Sequence, residues 1–169
     1  MAPAHAIEEH IPRLRRYARA LVGDRASADD LVQNTLERAW GRLHLWQAGT
    51  DLRAWLFTTM HNLHVNHARA SHIRRAESLD EEAMEIPVRA TQQDALLLRD
   101  LDKALRQLPD EQREVVLLVG LGQLPYDEVA RMLEIPLGTV MSRLSRGREK
   151  LRALMTGATM TTPSLRPVR

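Results

Sequence analysis

The sequence contains no cysteine, which excludes disulfide frameworks, cysteine-ligated zinc and thiol catalysis. Aromatic residues make up only 4% of the 169 residues, and glycine and proline number eight each. No stretch approaches the roughly 18 uncharged apolar residues of a membrane-spanning helix. The opening MAPAHAIEEHIP carries acids instead of an apolar run, unlike a secretory signal. We therefore expect a soluble protein of the cell interior.

The net charge of +2 is distributed unevenly along the chain. Residues 1–75 hold 11 basic and 7 acidic residues, residues 76–99 hold 2 and 6, and residues 100–155 hold 9 of each. Within the last range, residues 142–152 carry five basic residues and one acid. Such a basic cluster is typical either of a nucleic-acid partner or of a solvated surface, and charge alone does not separate the two.

Apolar residues recur at helical spacing through most of the chain, and no Asn-Gly or Asp-Gly turn joins alternating strands. We predict an all-α protein made of two small helical domains. The periodicity lapses in the acidic stretch AESLDEEAMEIPVRATQ, which predicts a flexible linker over 76–94 between domains at 1–75 and 95–155. The small and polar residues of 156–169 predict a fraying tail.

The C-terminal domain carries the sharpest motif, LPYDEVARMLEIPLGTVMSRLSRGREKLR. It predicts a helix-turn-helix, in which a short helix is followed by a tight turn closed by Ile135 and by a second helix that begins near Pro136. At 100° per residue, four apolar residues of the second helix share one face and are predicted to be buried: Leu137, Val140, Leu144 and Leu151.

The opposite face of this second helix is polar, with Ser142, Ser145 and Arg146, and Arg143 and Arg148 flank it. A helix fits the major groove of DNA, where Arg pairs bidentately with guanine and Ser bonds many base edges. Flanking arginines fix the register by contacting phosphates. The alternative is a bundle helix with a solvated basic face, although small Ala130 and the PLGTV start favour the close helix crossing of a DNA-binding motif.

In the N-terminal domain, the run DDLVQNTLERAW has two contrasting faces. We predict that its apolar stripe is core: Val32, Leu36, Ala39, Trp40 and Leu43. The opposite face is acidic and rich in amides: Asp30, Gln33, Asn34 and Glu37. That face suits a basic protein surface better than DNA, and the alternative is an exposed face with no partner.

The next segment, TDLRAWLFTTMHNLHVNHARASHIRR, predicts a second two-faced helix. Its core stripe is Leu52, Leu56, Met60, Leu63 and Ala70. Beside that stripe lie Trp55, Asn62, Asn66, Arg69 and Ile73, followed by Arg74 and Arg75. Flat side chains beside positive charge could receive unstacked bases of single-stranded DNA. The alternative for Trp55 is a purely structural role, and both hold if one edge of the indole is buried and the other is used.

Neither a metal site nor an enzyme site is predicted. His61, His64 and His67 recur every three residues, but the outer two lie about 120° apart around a helix, so at most one pair could chelate. Auxiliary phosphate contacts or a polar surface explain these histidines better. The sequence has no Gly-rich phosphate loop and no nucleophile elbow, and we expect no cofactor.

Taken together, these segments resemble the extracytoplasmic-function sigma factors of bacterial RNA polymerase over about residues 10–155. DDLVQNTLERAW resembles the family's second region, which docks on the clamp helices of the β′ subunit. LRAWLFTTMHNLHVNHARASHIRR resembles the segment that melts and reads the promoter −10 element. LPDEQREVVLL followed by the helix-turn-helix resembles the fourth region, which reads the −35 element.

The resemblance implies a transcription initiation factor that binds the β′ clamp helices and β flap of core polymerase and reads both elements. The implied polymerase-docking residues are Asp30, Leu31, Gln33, Asn34 and Glu37, with Trp40 supporting that helix from inside. The loop 44–51 would capture a flipped −10 base together with Asn62, and the −10 set is Trp55, Asn62, Asn66, Arg69, Arg74 and Arg75. Thr139 and Lys150 would join Ser142, Arg143, Ser145, Arg146 and Arg148 at the −35 element.

The family also implies an anti-sigma factor as partner, a cytoplasmic location, and a linker that leaves the two domains free to match the spacing of the elements. Two departures stand out: Asn34 replaces a usual glutamate, and Met141 replaces a common basic residue. The alternative function is a helix-turn-helix regulator that binds duplex operators as a dimer without polymerase. A protein-interaction adaptor with no DNA dependence is a third possibility.

Overall fold

The computed structural model describes residues 3–75 and 92–157, which we call the front half and the back half. Both halves consist of helices and turns, which confirms the predicted all-α fold class. None of the helices described is long and apolar enough to cross a bilayer. The helices are α1 (Pro3–Glu8), α2 (Ile11–Val22), α3 (Arg25–Gly41), α4 (Leu52–Arg75), α5 (Gln92–Arg106), α6 (Asp110–Gly120), α7 (Tyr126–Leu133) and α8 (Leu137–Thr156), with a 3-10 segment at Leu43–Leu45.

The predicted linker and tail lie mostly outside the described residues. Only the ends of these segments are seen. Residues 92–94, assigned to the linker from the sequence, already belong to α5, and α8 extends to Thr156. The acid Asp94 in the first turn of α5 is favourable at a helix N-terminus, which explains why the helix starts before the apolar periodicity does.

A two-residue connection joins α2 to α3. Gly23 ends α2 in the left-handed conformation, with φ 92°, and its N–H donates to the carbonyl of Arg19. Asp24 then caps α3, because its carboxylate accepts a hydrogen bond from the backbone N–H of Ser27 at 2.8 Å. That hydrogen bond holds the pKa of Asp24 below its usual value. The tight turn places α2 and α3 side by side.

The front half buries one face of each helix in a common core. The ring of Tyr17 meets that of Phe57 edge-on, with centroids 5.1 Å apart and an interplanar angle of 71°. The predicted core stripe of α4 is confirmed for its first four members and is only half-buried at the fifth: Leu52, Leu56, Met60, Leu63 and Ala70. Burial of this stripe fixes which face of α4 is left for solvent and partners.

The back half is a helix-turn-helix, as predicted. Pro125 and Pro136 immediately precede α7 and α8. Ile135 closes the turn between them, since its N–H donates to the carbonyl of Ala130 at 3.1 Å. Glu134 occupies the left-handed region there, with φ 54°. The close crossing of α8 over α6 depends on Gly147, where a Cβ would lie 2.7 Å from Cγ2 of Val116.

Burial along α8 follows the predicted stripe with one exception. Val140 and Leu144 are buried, and Leu151 packs against the core. The prediction for Leu137 is wrong, because its side chain is 47% exposed. Leu137 is the first residue of α8 and lies nearly one turn before Val140, so it projects beyond the core that the rest of the stripe reaches.

The two halves pack against each other. Nδ1 of His61 in α4 lies 2.9 Å from Oε1 of Glu114 in α6. Arg106 of α5 donates from Nη2 to the carbonyl of Gly23 at 3.2 Å. The buried apolar residues of both halves form one continuous cluster. The two helical domains are therefore in contact in this conformation.

Candidate functional surfaces

The outward face of α8 presents the residues predicted to read DNA. Ser142, Ser145 and Arg146 are exposed on the side opposite the buried Val140 and Leu144. Arg148 is exposed as well, while Thr139, Arg143 and Lys150 are half-buried at the edges of the face. The Ser142 hydroxyl donates to the carbonyl of Thr139 at 3.1 Å, which leaves its lone pairs free to accept from a base.

Arg143 already has a partner within the back half. Its Nη2 lies 3.0 Å from Oε2 of Glu111, in the first turn of α6. The Arg143 side chain is 24% exposed and that of Glu111 is 70% exposed. Contact between Arg143 and a phosphate would therefore require that it exchange one anion for another.

Met141 and Leu137 add an apolar edge to the same end of α8, which the sequence did not predict for Leu137. The two side chains are 53% and 47% exposed, and four residues of separation put them on one side of the helix. An exposed apolar pair at the N-terminal end of a recognition helix suits thymine methyl groups in the major groove. Its position beside Ser142 makes it part of the candidate DNA surface.

The α4 surface keeps the polar stripe predicted for single-stranded DNA. Asn62, Asn66 and Arg69 are exposed, and Trp55 is half-buried, with part of its indole packed against the core. Arg74 and Arg75 continue α4, but their side chains lie outside the described residues. Trp55 thus has one side buried and one side at the surface.

The histidines of α4 have different surroundings. His61 is buried and faces Glu114, whereas His67 is exposed. Burial, reinforced by the neighbouring His61, lowers the pKa of His64 below its usual value. Among the residues that the structure describes, no three ligand-type side chains lie close enough together to hold a metal ion. The i, i+3, i+6 spacing therefore does not correspond to one cluster.

The loop before α4 is anchored at both ends. Trp46 packs partly against the core, while Leu45 is 63% exposed. Asp51 caps α4 by accepting hydrogen bonds from the N–H groups of Arg53 at 2.9 Å and Ala54 at 3.3 Å. Burial opposes ionisation of Asp51, but these hydrogen bonds and the Arg53 guanidinium outweigh it and hold its pKa below the usual range. The packing of Trp46 and the hydrogen bonds of Asp51 therefore hold the loop in place.

A groove of about 630 Å³ runs between α2 and α3. Arg15 and Arg19 line it from α2, whereas α3 contributes Asp29, Gln33 and Glu37 together with Arg25, whose Nε lies 3.7 Å from Oδ2 of Asp29. Gln33 and Glu37 of the predicted docking face belong to this α3 wall and are joined by a side-chain hydrogen bond of 3.2 Å. The lining residues are Arg15, Arg19, Arg25, Asp29, Val32, Gln33, Leu36, Glu37 and Trp40.

Two predictions for α3 are wrong. Leu31 is only 3% exposed, so it faces the core and cannot contact a partner. Trp40, which was expected to support the helix from inside, is 46% exposed and lines the groove. Val32 and Ala39 of the predicted stripe are buried, and the rest of the buried face of α3 is turned away from Trp40: Ala28, Leu31 and Thr35. Asp30 is exposed and Asn34 half-buried.

The basic wall of the groove was missed from the sequence. Arg15 and Arg19 of α2 form this wall, while Arg25 lies on α3 beside Asp29. The i, i+4 spacing of Arg15 and Arg19 in IPRLRRYARALV was the available signal, since such residues share a helix face. Their position opposite Glu37 depends on how α2 packs on α3. The sequence pattern of a single helix does not predict that packing.

Comparisons with known proteins identify both halves. Residues 7–61 match the family model of the Sigma2 domain of PhyR, and residues 98–151 match that of sigma-70 region 4. The chain is 38% identical over 148 residues to the ECF RNA polymerase sigma factor EcfG of Rhodopseudomonas palustris, covering 86% of this chain and 80% of that protein. The chain belongs to the ECF sigma factors. The resemblance inferred from the sequence is confirmed.

Two solved structures share the fold of this chain. The sigma factor RpoE of Bartonella quintana, in complex with the anti-sigma factor NepR, superposes with a TM-score of 0.81 at 31% identity, covering 90% of this chain and 96% of that chain. CnrH, in complex with the cytosolic domain of CnrY, gives a TM-score of 0.67 at 25% identity and covers 92% and 88%.

As an ECF sigma factor, this chain directs core RNA polymerase to promoters during transcription initiation. Both halves match sigma modules, whereas the alternative function assigns a sigma-like match to neither half specifically. The alternative of a duplex-operator regulator that acts without polymerase is therefore not favoured.

Proposed function

We propose that the two halves divide promoter recognition between them. The front domain, 1–75, docks on core polymerase and receives the −10 strand, and the back domain, 95–155, reads the −35 duplex, with 76–94 as linker and 156–169 as tail. The outward face of α8 carries the proposal, because Ser142, Ser145 and Arg146 are exposed directly opposite buried Val140 and Leu144. A helix presented in this way fits a major groove.

For polymerase docking, the α2/α3 groove suits a partner surface that carries both acidic and basic residues. Its arginine wall would meet acids, its Gln33 and Glu37 wall would meet basic residues, and Trp40 offers an exposed aromatic surface between them. Clamp helices of the β′ subunit with both charges would satisfy the two walls at once. Asp30 and Asn34 extend the second wall, and the β flap would meet the back half.

For the −10 element, the exposed stripe of α4 would bind a displaced strand. Asn62 and Asn66 offer donors and acceptors to base edges, Trp55 offers a partly exposed ring, and Arg69, Arg74 and Arg75 would follow the phosphates. The loop 44–51 lies directly before α4 and is tied to it through Asp51. A flipped base would enter between this loop and Asn62, at a cost of a few kcal/mol that stacking must offset.

An anti-sigma factor is a further proposed partner. RpoE was solved in complex with the anti-sigma factor NepR. In this chain, three consecutive leucines of α5 are 48–60% exposed: Leu96, Leu97 and Leu98. An amphipathic helix is the kind of partner that such a surface fits. We propose that the protein acts in the cytoplasm and contributes no covalent chemistry of its own.

Run-off transcription with purified core polymerase on candidate promoters tests the proposal. The full chain is expected to give promoter-dependent transcripts, and core enzyme alone is expected to give none. Arg19→Gln, in the groove, should weaken binding to core polymerase, whereas Arg16→Gln, exposed on the same helix but outside the groove, should not. Equal binding by both variants would contradict the docking site.

Templates with a premelted −10 region separate the roles within α4. If Trp55 helps to open the duplex, Trp55→Ala should be defective on an intact promoter and largely rescued on the premelted one. If Asn62 captures a base, Asn62→Ala should stay defective on both templates. A Trp55→Ala variant with normal open complexes on the intact promoter would make the indole purely structural.

A further inference from the structure

The first turns of α8 carry an apolar pair that the fold leaves in water. Leu137 and Met141 are 47% and 53% exposed, whereas Val140 between them is fully buried. Four residues of separation place the two side chains about 40° apart around the helix, one turn above the other. Two large apolar side chains in adjacent positions gain free energy when a partner removes them from water. The pair is therefore a surface in search of an occupant, and its neighbours on α8 indicate which one.

The apolar pair is continuous with the polar face of α8. Ser145 follows Met141 by four residues, so Leu137, Met141 and Ser145 form one row along the helix. Ser142 lies in the next row, and both serines are exposed. A DNA duplex that contacts the two serine hydroxyls therefore also covers Met141, and Leu137 extends that contact towards the N-terminal end of α8.

The space beside the pair is open to base edges. Gly138 lies between the row of Leu137 and the row of Ser142. Among the described residues, 3–75 and 92–157, no atom would lie within 4 Å of a Cβ at Gly138. No side chain of the described chain therefore fills the approach to Leu137 and Met141 from the side of the serines. In a helix-turn-helix, this N-terminal part of the second helix is the part that contacts base edges.

One base matches an apolar side chain in the major groove. Thymine presents its C5-methyl group there, whereas guanine, cytosine and adenine present only hydrogen-bond donors and acceptors. An apolar side chain placed over those polar groups removes water from them without replacing its hydrogen bonds, which is unfavourable. The thioether of Met141 is flexible and adapts its shape to a methyl group. Four residues of helix rise about 6 Å, so Leu137 and Met141 span roughly two base-pair steps of about 3.4 Å.

We propose that Met141 and Leu137 select thymine in the −35 element by packing on the C5-methyl groups of one or two base pairs. Met141 makes the main contact, because it is the more exposed of the two and lies beside both serines. Leu137 reaches the neighbouring base pair at the N-terminal end of α8. The proposal rests on the assignment of α8 to the −35 duplex, and it adds the identity of a base that no hydrogen bond of α8 selects.

Replacement of thymine by deoxyuridine tests this, because it removes the methyl group and leaves base pairing unchanged. The full chain in complex with core polymerase first enriches a −35 sequence from a pool of randomised duplexes. Each thymine of the enriched duplex is then replaced singly. One or two replacements should each weaken binding about fourfold, the factor that corresponds to burial of one methyl-sized group, and the others should have no effect. If no position shows this dependence on the methyl group, the proposal is wrong.

Variants of the pair assign the methyl group to a side chain. Met141→Ala should abolish the fourfold difference at one position, Leu137→Ala should abolish it at a neighbouring position if two are found, and Met141→Leu should retain it. Met155→Ala is the matched control, because Met155 is 39% exposed near the other end of α8, and it should leave every ratio unchanged. Circular dichroism verifies that the helices are intact. A difference that persists in both alanine variants of the pair would assign the methyl groups to other residues and overturn the proposal.

Arg146→Ala separates failure of this proposal from failure of the one on which it rests. If Arg146→Ala changes the enriched sequence but deoxyuridine has no effect, α8 reads the −35 element and only the selection of thymine fails. If no sequence is enriched, or if Arg146→Ala and wild type enrich the same sequence without dependence on a methyl group, both proposals fail. If Met141→Ala weakens binding to core polymerase without DNA and leaves the thymine ratio unchanged, the apolar pair contacts polymerase and the proposal is overturned.

Discussion

The front and back halves use amphipathic helices in two different ways. In the back half, the candidate DNA surface is one face of one helix, α8, and the buried Val140 and Leu144 point directly away from it. In the front half, the candidate polymerase surface is a groove between α2 and α3, with walls from different helices. A surface on one helix follows from that helix's periodicity, whereas a groove between helices depends on how they pack.

The largest expected effect concerns the corrected face of α3. Leu31→Ala should lower the free energy of unfolding by about 2–5 kcal/mol, because it empties a buried position. Trp40→Ala should change stability little and weaken binding to core polymerase, because the ring is nearly half exposed in the groove. Urea unfolding followed by circular dichroism and a core-binding assay measure the two effects. The opposite pattern would restore the original assignment of α3.

The crossing of α8 over α6 provides a second test, confined to the back half. Gly147→Ala should destabilise the chain by about 1–3 kcal/mol, because the new methyl meets Cγ2 of Val116 at 2.7 Å. Gly138→Ala, on the same helix, has no atom within 4 Å of the new Cβ and should be neutral or slightly stabilising. Thermal unfolding compares them, and equal stabilities would show that the crossing is looser than described.

The DNA face of α8 is tested by a pair of arginines. Arg146→Ala should weaken binding to a −35 duplex by about 1–3 kcal/mol, as for the loss of one good base contact. Arg152→Ala, exposed near the C-terminal end of α8, should have a smaller effect that is equal for all sequences. Binding titrations on −35 and scrambled duplexes separate the two. If Arg146→Ala weakens both duplexes equally, Arg146 contacts phosphate instead of a base.

The smallest expected effect is a loss of stability of the front half at acidic pH. All seven histidines and all three tryptophans lie in residues 1–75. Burial, followed by the charge of Arg13, lowers the pKa of His10, and burial followed by His61 lowers that of His64. The other charged groups that act on these two rings are Glu9, Asp51, Arg53, His67, Arg113 and Glu114, and the carboxylates among them oppose the shift.

A folded-state pKa below that of the unfolded chain means that protonation favours unfolding. Stability should therefore be complete above about pH 6.5, the ordinary histidine value, and decrease as the pH falls below it. Tryptophan fluorescence during urea unfolding at pH 7.5 and 5.5 reports on the front half. His64→Gln should reduce the difference between the two pH values, and an unchanged difference would exclude His64 as a source.

The sequence predicted the fold class, the helix-turn-helix and the exposed polar face of α8 because each depends on periodicity within one segment. It placed Asn62, Asn66 and Arg69 on a surface stripe for the same reason. It failed for Trp40, because size and hydrophobicity suggested core, whereas the buried face of α3 runs through Ala28, Leu31 and Thr35 and leaves Trp40 beside the groove. The arginine wall of the groove and the contacts between the two halves bring together residues that are distant in sequence. No pattern within a single helix predicts such contacts.

The pairing of Arg143 with Glu111 has a consequence for how the protein responds to salt. Each new phosphate contact normally frees a condensed cation from DNA, and the number freed sets the slope of affinity against ionic strength. Arg143 is already neutralised at 3.0 Å by a resident carboxylate, which acts as an internal competitor of the phosphate. The back half therefore approaches the major groove of DNA with less unpaired positive charge than its number of arginines implies. This weakens its attraction to DNA of any sequence.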